Sequence, residues 1–164
     1  MKYTTRLATL EDIHGIKTIY NQGIEDRIAT LETELRTTEE MKKWLKSKSD
    51  RHKVLVITAE NNTVVGWASL NEFNSRCCYS GVADVSIYIE RNMRGKGLGK
   101  ILLGRLIEVA KKQGFTKLVL STFDFNKLGQ GLYKAHSFRK VGTYIRQGIL
   151  DGKWVDVTIM EKLL

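Results

Sequence analysis

The chain has 164 residues, of which 42% are hydrophobic and 27% charged, and this length and balance exclude an extended disordered region, a collagen-like repeat and a need for disulfide staples. Twenty-seven Lys and Arg against 18 Asp and Glu give a formal net charge of +9, which points to a polyanionic partner without saying which.

Residues 3–8 read as a short strand. Thr9-Leu10-Glu11-Asp12 reads as a helix entry with Thr9 as cap, and Ile13, Ile16, Ile19 and Tyr20 then recur at helical spacing through Asn21. Thr37 or Thr38 caps a second helix over 39–47, with Met41, Trp44 and Leu45 on one face. Residues 53–59 and 64–70 are strands flanking Glu60-Asn61-Asn62-Thr63, a hairpin turn whose asparagines accept positive φ. Residues 82–89 alternate, with Val85, Ile87 and Ile89 on one side and Asp84, Ser86 and Tyr88 on the other.

From Gly97 the period changes to 3.6: Leu98, Ile101, Leu102, Leu106, Val109 and Ala110 mark a helix ending at Gln113-Gly114. Residues 117–123 form an apolar strand and 127–136 a short helix. Two strands follow, 139–146 and 153–161, around the turn Asp151-Gly152. The order βααβββαβαββ, as one domain over 1–164, predicts an α/β fold with a mixed central sheet flanked by helices, because a parallel crossover needs an intervening helix.

No apolar run approaches the roughly 20 residues that cross a bilayer, so no membrane partner is expected. Met1-Lys2-Tyr3-Thr4-Thr5-Arg6 lacks the apolar core of a signal peptide, which makes the cytoplasm the expected compartment. Cys77 and Cys78 are adjacent and read as free thiols, and neither has a partner at metal-ligand spacing.

Charge concentrates between Arg91 and Lys112, where seven cations face one anion, Glu108. Inside that run Arg94-Gly95-Lys96-Gly97-Leu98-Gly99 opens a helix directly after a strand. Glycines let backbone approach a ligand, and the amides of a helix N-terminus converge on an anion, so the segment is a phosphate cradle in physical terms. Its spacing matches neither the Walker-A loop nor the dinucleotide fingerprint.

Arg94-x-x-Gly97-x-Gly99 after a strand, followed by Asn126 and by Leu132-Tyr133, resembles the acyl-CoA signature of the GCN5-related N-acetyltransferases. Tyr20-Asn21, Thr33-Glu34, the strand 84–89 and the segment 152–157 are similar to the phosphinothricin acetyltransferase branch, a resemblance that runs over essentially the whole chain. It implies the GNAT fold and acetyl-CoA as co-substrate. Pyrophosphate would lie on the amides of Arg94, Gly95, Lys96, Gly97, Leu98 and Gly99, pantetheine along Ile87, Tyr88 and Ile89, and Asn126 would hold the cofactor arm. It further implies Asp84 as the base that takes the proton of the incoming ammonium, Tyr133 as the acid for the departing thiolate, and Arg76 as a clamp for an anionic group of the acceptor.

The activity so implied is acetylation of the primary amine of a small amino acid analogue, such as phosphinothricin or methionine sulfoximine or sulfone, by direct attack in a ternary complex within a homodimeric enzyme, with no metal and no nucleic acid. Asp84→Asn is then expected to cost turnover mostly at low pH. The competing readings are a basic nucleic-acid-binding module built on Arg91 to Lys112 and an acetyltransferase acting on a protein N-terminus. Gly129 and Gly131 depart from the family pattern and weaken the helix that follows Asn126.

Overall fold

Among residues 2–164, which the computed structural model describes, seven strands and four α-helices follow one another in the order read from the sequence. They are β1 (Thr4–Leu7), α1 (Ile13–Glu25), α2 (Thr38–Ser47), β2 (Val54–Thr58), β3 (Val64–Glu72), β4 (Val82–Ile89), α3 (Leu98–Lys112), β5 (Lys117–Phe123), α4 (Lys127–Ala135), β6 (Arg139–Leu150) and β7 (Lys153–Leu163). The strands form one mixed sheet in the order β1-β2-β3-β4-β5-β7-β6. Every neighbouring pair is antiparallel except β4 with β5, the pair joined through α3.

Alternation along the strands divides the core into two layers. Val54 and Val56 of β2 and Trp67 of β3 pack under α1 and α2 against Ile13, Ile16, Ile19 and Met41. Leu55, Ile57, Ala68, Leu70, Ala83 and Val85 face the other way, onto Leu98, Leu102, Leu103 and Leu106 of α3. Leu102, Leu103 and Leu106 expose nothing, and each such burial contributes on the order of 2 kcal/mol.

Local chemistry sets the boundaries. The Thr37 hydroxyl accepts a hydrogen bond from the Glu40 amide at 3.2 Å and so caps α2, while Asn61 and Asn62 each take φ of 60° in the β2–β3 turn. Asp12 accepts from the Thr9 amide at 2.8 Å and pairs with Arg6, which holds its carboxyl below the usual carboxylate range.

Four elements run at least two residues further than the sequence predicts: β3 through Asn71 and Glu72, and α1, β6 and β7. α1 continues past Asn21 because Gly23 and Ile24 are buried there: a Cβ on Gly23 would lie 3.0 Å from the Tyr88 ring, so tertiary packing outweighs weak helix propensity. β6 and β7 extend through residues 147–150 and 162–163, and the register shifts between Lys140 and Gly142 and between Tyr144 and Gly148, with Arg146 at φ 53°, break the alternation that would have revealed β6.

The central pairing decides where function sits. β4 pairs with β5 only at Val82↔Lys117, Ala83↔Leu118 and Asp84↔Val119. On the other side β4 stays paired with β3 to Ile89↔Gly66, and β5 stays paired with β7 to Phe123↔Val157. The two parallel strands therefore part beyond Asp84, and a wedge opens in the middle of the sheet.

Candidate active site

The two strands that part at the wedge each feed a helix, so the N-termini of α3 and α4 follow from its open end. A cavity of about 360 Å³ lies there, lined by Ile87, Tyr88 and Ile89 of β4, by Arg94, Gly95, Gly97, Leu98 and Gly99, and by Asn126, Leu132 and Tyr133. Every residue assigned to the cofactor from the sequence lines it except Lys96, whose exposed side chain reaches only the Met93 sulfur at 4.0 Å.

The cradle has room for a ligand. Gly95 and Gly97 take φ of +76° and +84°, and a Cβ built on either meets nothing within 4 Å. The earliest amide of α3 with a helical carbonyl partner is that of Ile101, bonded to the Gly97 carbonyl at 3.4 Å, which leaves the preceding first-turn amides for an anion. Beyond Asp84 the backbone groups of β4 that would have met β5 have no strand partner, as a peptide-like chain requires of a host strand. An elongated amide-bearing ligand ending in a diphosphate fits this arrangement.

Two of the assigned residues turn out to have scaffold contacts as well. The Arg94 guanidinium donates to the Ile89 carbonyl at 3.3 Å and to Asp26 at 2.7 Å, where Arg91 also binds, so it braces the cradle loop against the end of α1. Asn126 caps α4: its Oδ1 accepts from the Gly129 amide at 3.0 Å and its Nδ2 donates to the Thr122 hydroxyl at 3.3 Å. Gly129 belongs to that cap, because a Cβ on it would lie 2.5 Å from Asn126 Nδ2.

On the opposite side of Tyr88 lies a second cavity, of about 420 Å³, lined by Tyr20, Glu32, Arg36, Glu40, Trp44, Trp67, Ser69, Asn71, Ser86 and Tyr88. Tyr88 borders both spaces and forms the partition. Trp67 stacks on Tyr88 at 4.9 Å, and its buried Nε1 has no hydrogen-bond partner. The Tyr20 hydroxyl donates to Glu32 at 2.6 Å, and the Arg36 guanidinium is held between Glu32 and Glu40, which keeps it firmly charged.

Asp84 stands on the same face of β4 as Ser86 and Tyr88, as the alternation predicts. Burial pushes its carboxyl up to about 6, against the opposing effects of the Asn71 amide at 3.4 Å and the Lys48 charge. Tyr133 is pushed up to about 12 by burial and then by the negative charge of Asp84, so its phenol is protonated at neutral pH.

Arg76 lines neither cavity. It is exposed on the loop after β3, where its amide bonds to Asn74 at 2.9 Å, and the guanidinium in the pocket wall is that of Arg36. Sequence reasoning passed over Arg36, Glu32, Lys48 and Asn71. The proximity of Glu32 and Arg36 to Thr33-Glu34 was the available signal for the first two; nothing in the pattern pointed to Lys48 or Asn71. Cys77 and Cys78 are free and exposed on the same loop as Arg76.

Among the described residues no cluster of His, Cys, Asp and Glu could hold a metal ion, and no helix is long and apolar enough to cross a membrane. A family profile described as an Acetyltransferase (GNAT) domain matches residues 5–159. YwnH of Bacillus subtilis (strain 168) is 34% identical over 161 residues, covering 98% of this chain and 99% of that protein. The L-methionine sulfoximine/L-methionine sulfone acetyltransferase of Pseudomonas aeruginosa is 28% identical over 162 residues, covering 98% and 94%. The crystal structure of a GNAT superfamily phosphinothricin acetyltransferase from Sinorhizobium meliloti, in complex with AcCoA, superimposes with a TM-score of 0.95 at 27% identity, over 100% of this chain and 89% of that one. With a cradle and wedge that fit acetyl-CoA, the chain belongs to the GNAT superfamily, in its phosphinothricin acetyltransferase-like branch, and is an acetyl-CoA-dependent N-acetyltransferase.

Proposed function

We propose that the protein, acting as one domain over 1–164, acetylates the primary amine of a small amino acid analogue of the phosphinothricin or methionine sulfoximine and sulfone type, by direct attack within a ternary complex. The observation that carries this reading is the shared wall: the cofactor cleft and the polar second cavity both border Tyr88, and Asp84, which lines neither, stands four residues before it on the same face of β4. The names of relatives in this branch supply the acceptor class.

Acetyl-CoA, when bound, supplies an acetyl group activated as a thioester. Asp84, ionised at neutral pH yet only about one pH unit above its midpoint, takes the proton of the acceptor ammonium. The freed amine forms the new C–N bond as the C–S bond breaks. Tyr133 holds a proton on Oη for the sulfur that leaves. A backbone amide of β4 beyond Asp84 is the donor available to the carbonyl oxygen on which charge develops. Cys77 and Cys78 are exposed on the loop after β3, and among the described residues no base is paired with either, in keeping with direct transfer rather than an acyl-enzyme.

Arg76 serves as the clamp for the acceptor's anionic tail. Arg36 is saturated by two carboxylates, whereas the Arg76 fork is exposed five residues beyond Asn71 of the pocket wall. A homodimer forms through the β6–β7 hairpin, where Tyr144, Ile145, Ile149 and Trp154 are all more than half exposed.

Release of CoA thiol, measured with phosphinothricin, methionine sulfoximine, methionine sulfone and an alanine-terminated peptide on wild type and Arg76→Ala, tests the reading. The small analogues are the substrates, and Arg76→Ala loses selectivity for anionic over uncharged amines. Turnover of the peptide alone would transfer the activity to protein N-termini.

A further inference from the structure

Lys48 follows the last turn of α2, and its ammonium lies over the face of Trp44, with Nζ 5.4 Å from the ring centroid. The ammonium reaches across to the end of β3, where it donates to the Leu70 carbonyl and, at 2.8 Å, to Asn71 Oδ1. Both contacts are neutral oxygens, and the carboxylate whose charge acts on Lys48 is Asp84, through space. A part-buried cation without a contacting counter-ion costs stability, a cost that the Trp44 face offsets only in part, so the arrangement is not explained by what it adds to the fold.

It is explained by what it does to Asn71. An ammonium has only donors, so Asn71 must turn its oxygen toward Lys48. Its amide nitrogen is thereby fixed on the other side, where it donates to the Ser86 hydroxyl at 3.0 Å and toward Asp84 Oδ2 at 3.4 Å. The Ser69 hydroxyl also donates to that oxygen, at 2.9 Å, but a hydroxyl accepts as readily as it donates, so without the lysine the Asn71 amide could flip and present an oxygen to the carboxylate.

We propose that Lys48 is a positioning residue for acetyl transfer: through Asn71 it sets which face of an amide meets Asp84, and through its charge it keeps Asp84 ionised. This inference rests on the assignment of Asp84 as the base. The groups that bear on the pair are few. Tyr133 of α4 and Tyr88 of β4 feel the Asp84 charge and are held neutral by burial, while His52 responds to Lys48, Arg51 and Glu72 and is itself pushed toward its neutral form by burial. Lys48 is thus the cation placed to oppose the burial of Asp84; burial in turn pushes the ammonium down to about 8, still protonated at neutral pH.

The test combines kcat/KM profiles through the acid limb with titration of the Asp84 carboxyl carbon by NMR, on wild type, Asp84→Asn, Lys48→Met, Lys48→Arg and Asn71→Met. In Lys48→Met and Asn71→Met the acid limb and the carboxyl titration both move up by about one pH unit, and Lys48→Arg stays near wild type. A merely structural lysine would lower thermal stability while leaving both midpoints in place. Loss of the limb in Asp84→Asn together with unmoved midpoints in the other variants would overturn the role of Lys48 and leave Asp84 as the base. Persistence of the limb in Asp84→Asn would overturn the base assignment itself. Should Lys48→Met not fold, Lys48→Gln decides, since it keeps a donor for Leu70 and Asn71 and removes the charge: midpoints that stay at the wild-type value overturn the role of the ammonium, whereas Asn71→Met removes the Asp84 donor itself and reports on that bond alone.

Discussion

At the scale of single residues, Asp84 and Lys48 titrate in opposite senses. Asp84 has its ordinary value of 3.8 raised to about 6 in the fold, so the folded state binds that proton more tightly and stability falls as pH rises through this interval. Lys48 has its ordinary 10.5 lowered to about 8, so the unfolded state binds that proton more tightly and stability recovers as pH rises from about 8. Between about 6 and 8 both buried charges are present and their cost is greatest. Asp84→Asn is therefore expected to raise stability at neutral pH by about 2 kcal/mol, a gain that disappears below about pH 4 in thermal melts. The same variant loses turnover about a hundredfold, most strongly above pH 6, because below it the wild-type carboxyl is already protonated. That reverses the low-pH expectation drawn from the sequence. Tyr133→Phe removes a donor and leaves the ring, so it lowers kcat by about tenfold or more with CoA affinity unchanged in calorimetry.

How far these residues could be read in advance follows from where their partners lie. The face on which Asp84 stands was legible because strand alternation puts it opposite Val85 and Ile87, while its role as the base came from the family resemblance. Lys48 and Asn71 were not legible, because their meaning arises from α2, β3 and β4 converging at positions remote in the chain. Asn126 shows the converse: its place in a motif was visible, but its engagement as the α4 cap depends on how Thr122 and Gly129 come to flank it in the fold.

At the scale of elements, the cradle is a property of loop conformation. Gly97→Val places a branched side chain in space the ligand needs, at a φ of +84° that an L residue adopts at a cost of about 1–2 kcal/mol. A raised Kd for CoA is expected, by tenfold or more in calorimetry, with the circular dichroism of the fold preserved. Thr37→Ala removes the α2 cap and is expected to cost about 1 kcal/mol in denaturant titration. The eleven elements were readable in order because apolar periodicity and turn residues are local signals. The wedge was not, since it is a matter of where two strands stop pairing.

For the whole molecule, the cationic run from Arg91 to Lys112 has several destinations rather than one surface. Arg91 and Arg94 are tied to Asp26, Arg105 to Glu108, and Lys111 and Lys112 lie in the last turn of α3, where cations complement the helix dipole. Lys100 lines the cofactor cleft. A polyanion laid along the run would find few of these charges together, so weak RNA binding and salt-dependent CoA binding are expected when both are titrated. Tight RNA binding without CoA heat would restore the nucleic-acid reading.

The parting of β4 from β5 also bears on what mutation can change. The donors and acceptors offered along the wedge are main-chain atoms, and any residue that keeps β4 extended supplies them equally. Side chains at 87 and 89 answer to their packing neighbours, so their identity can drift with the core while the ligand meets an unaltered row of amides and carbonyls. Acyl-carrier recognition is thus recorded in geometry that substitution rarely reaches, whereas acceptor choice, in the reading proposed above, is recorded in side chains: those of the cavity beyond Tyr88 and Arg76 on the loop after β3. One half of the site is buffered against change and the other is exposed to it, so a new acceptor can be acquired in this scaffold without relearning the donor.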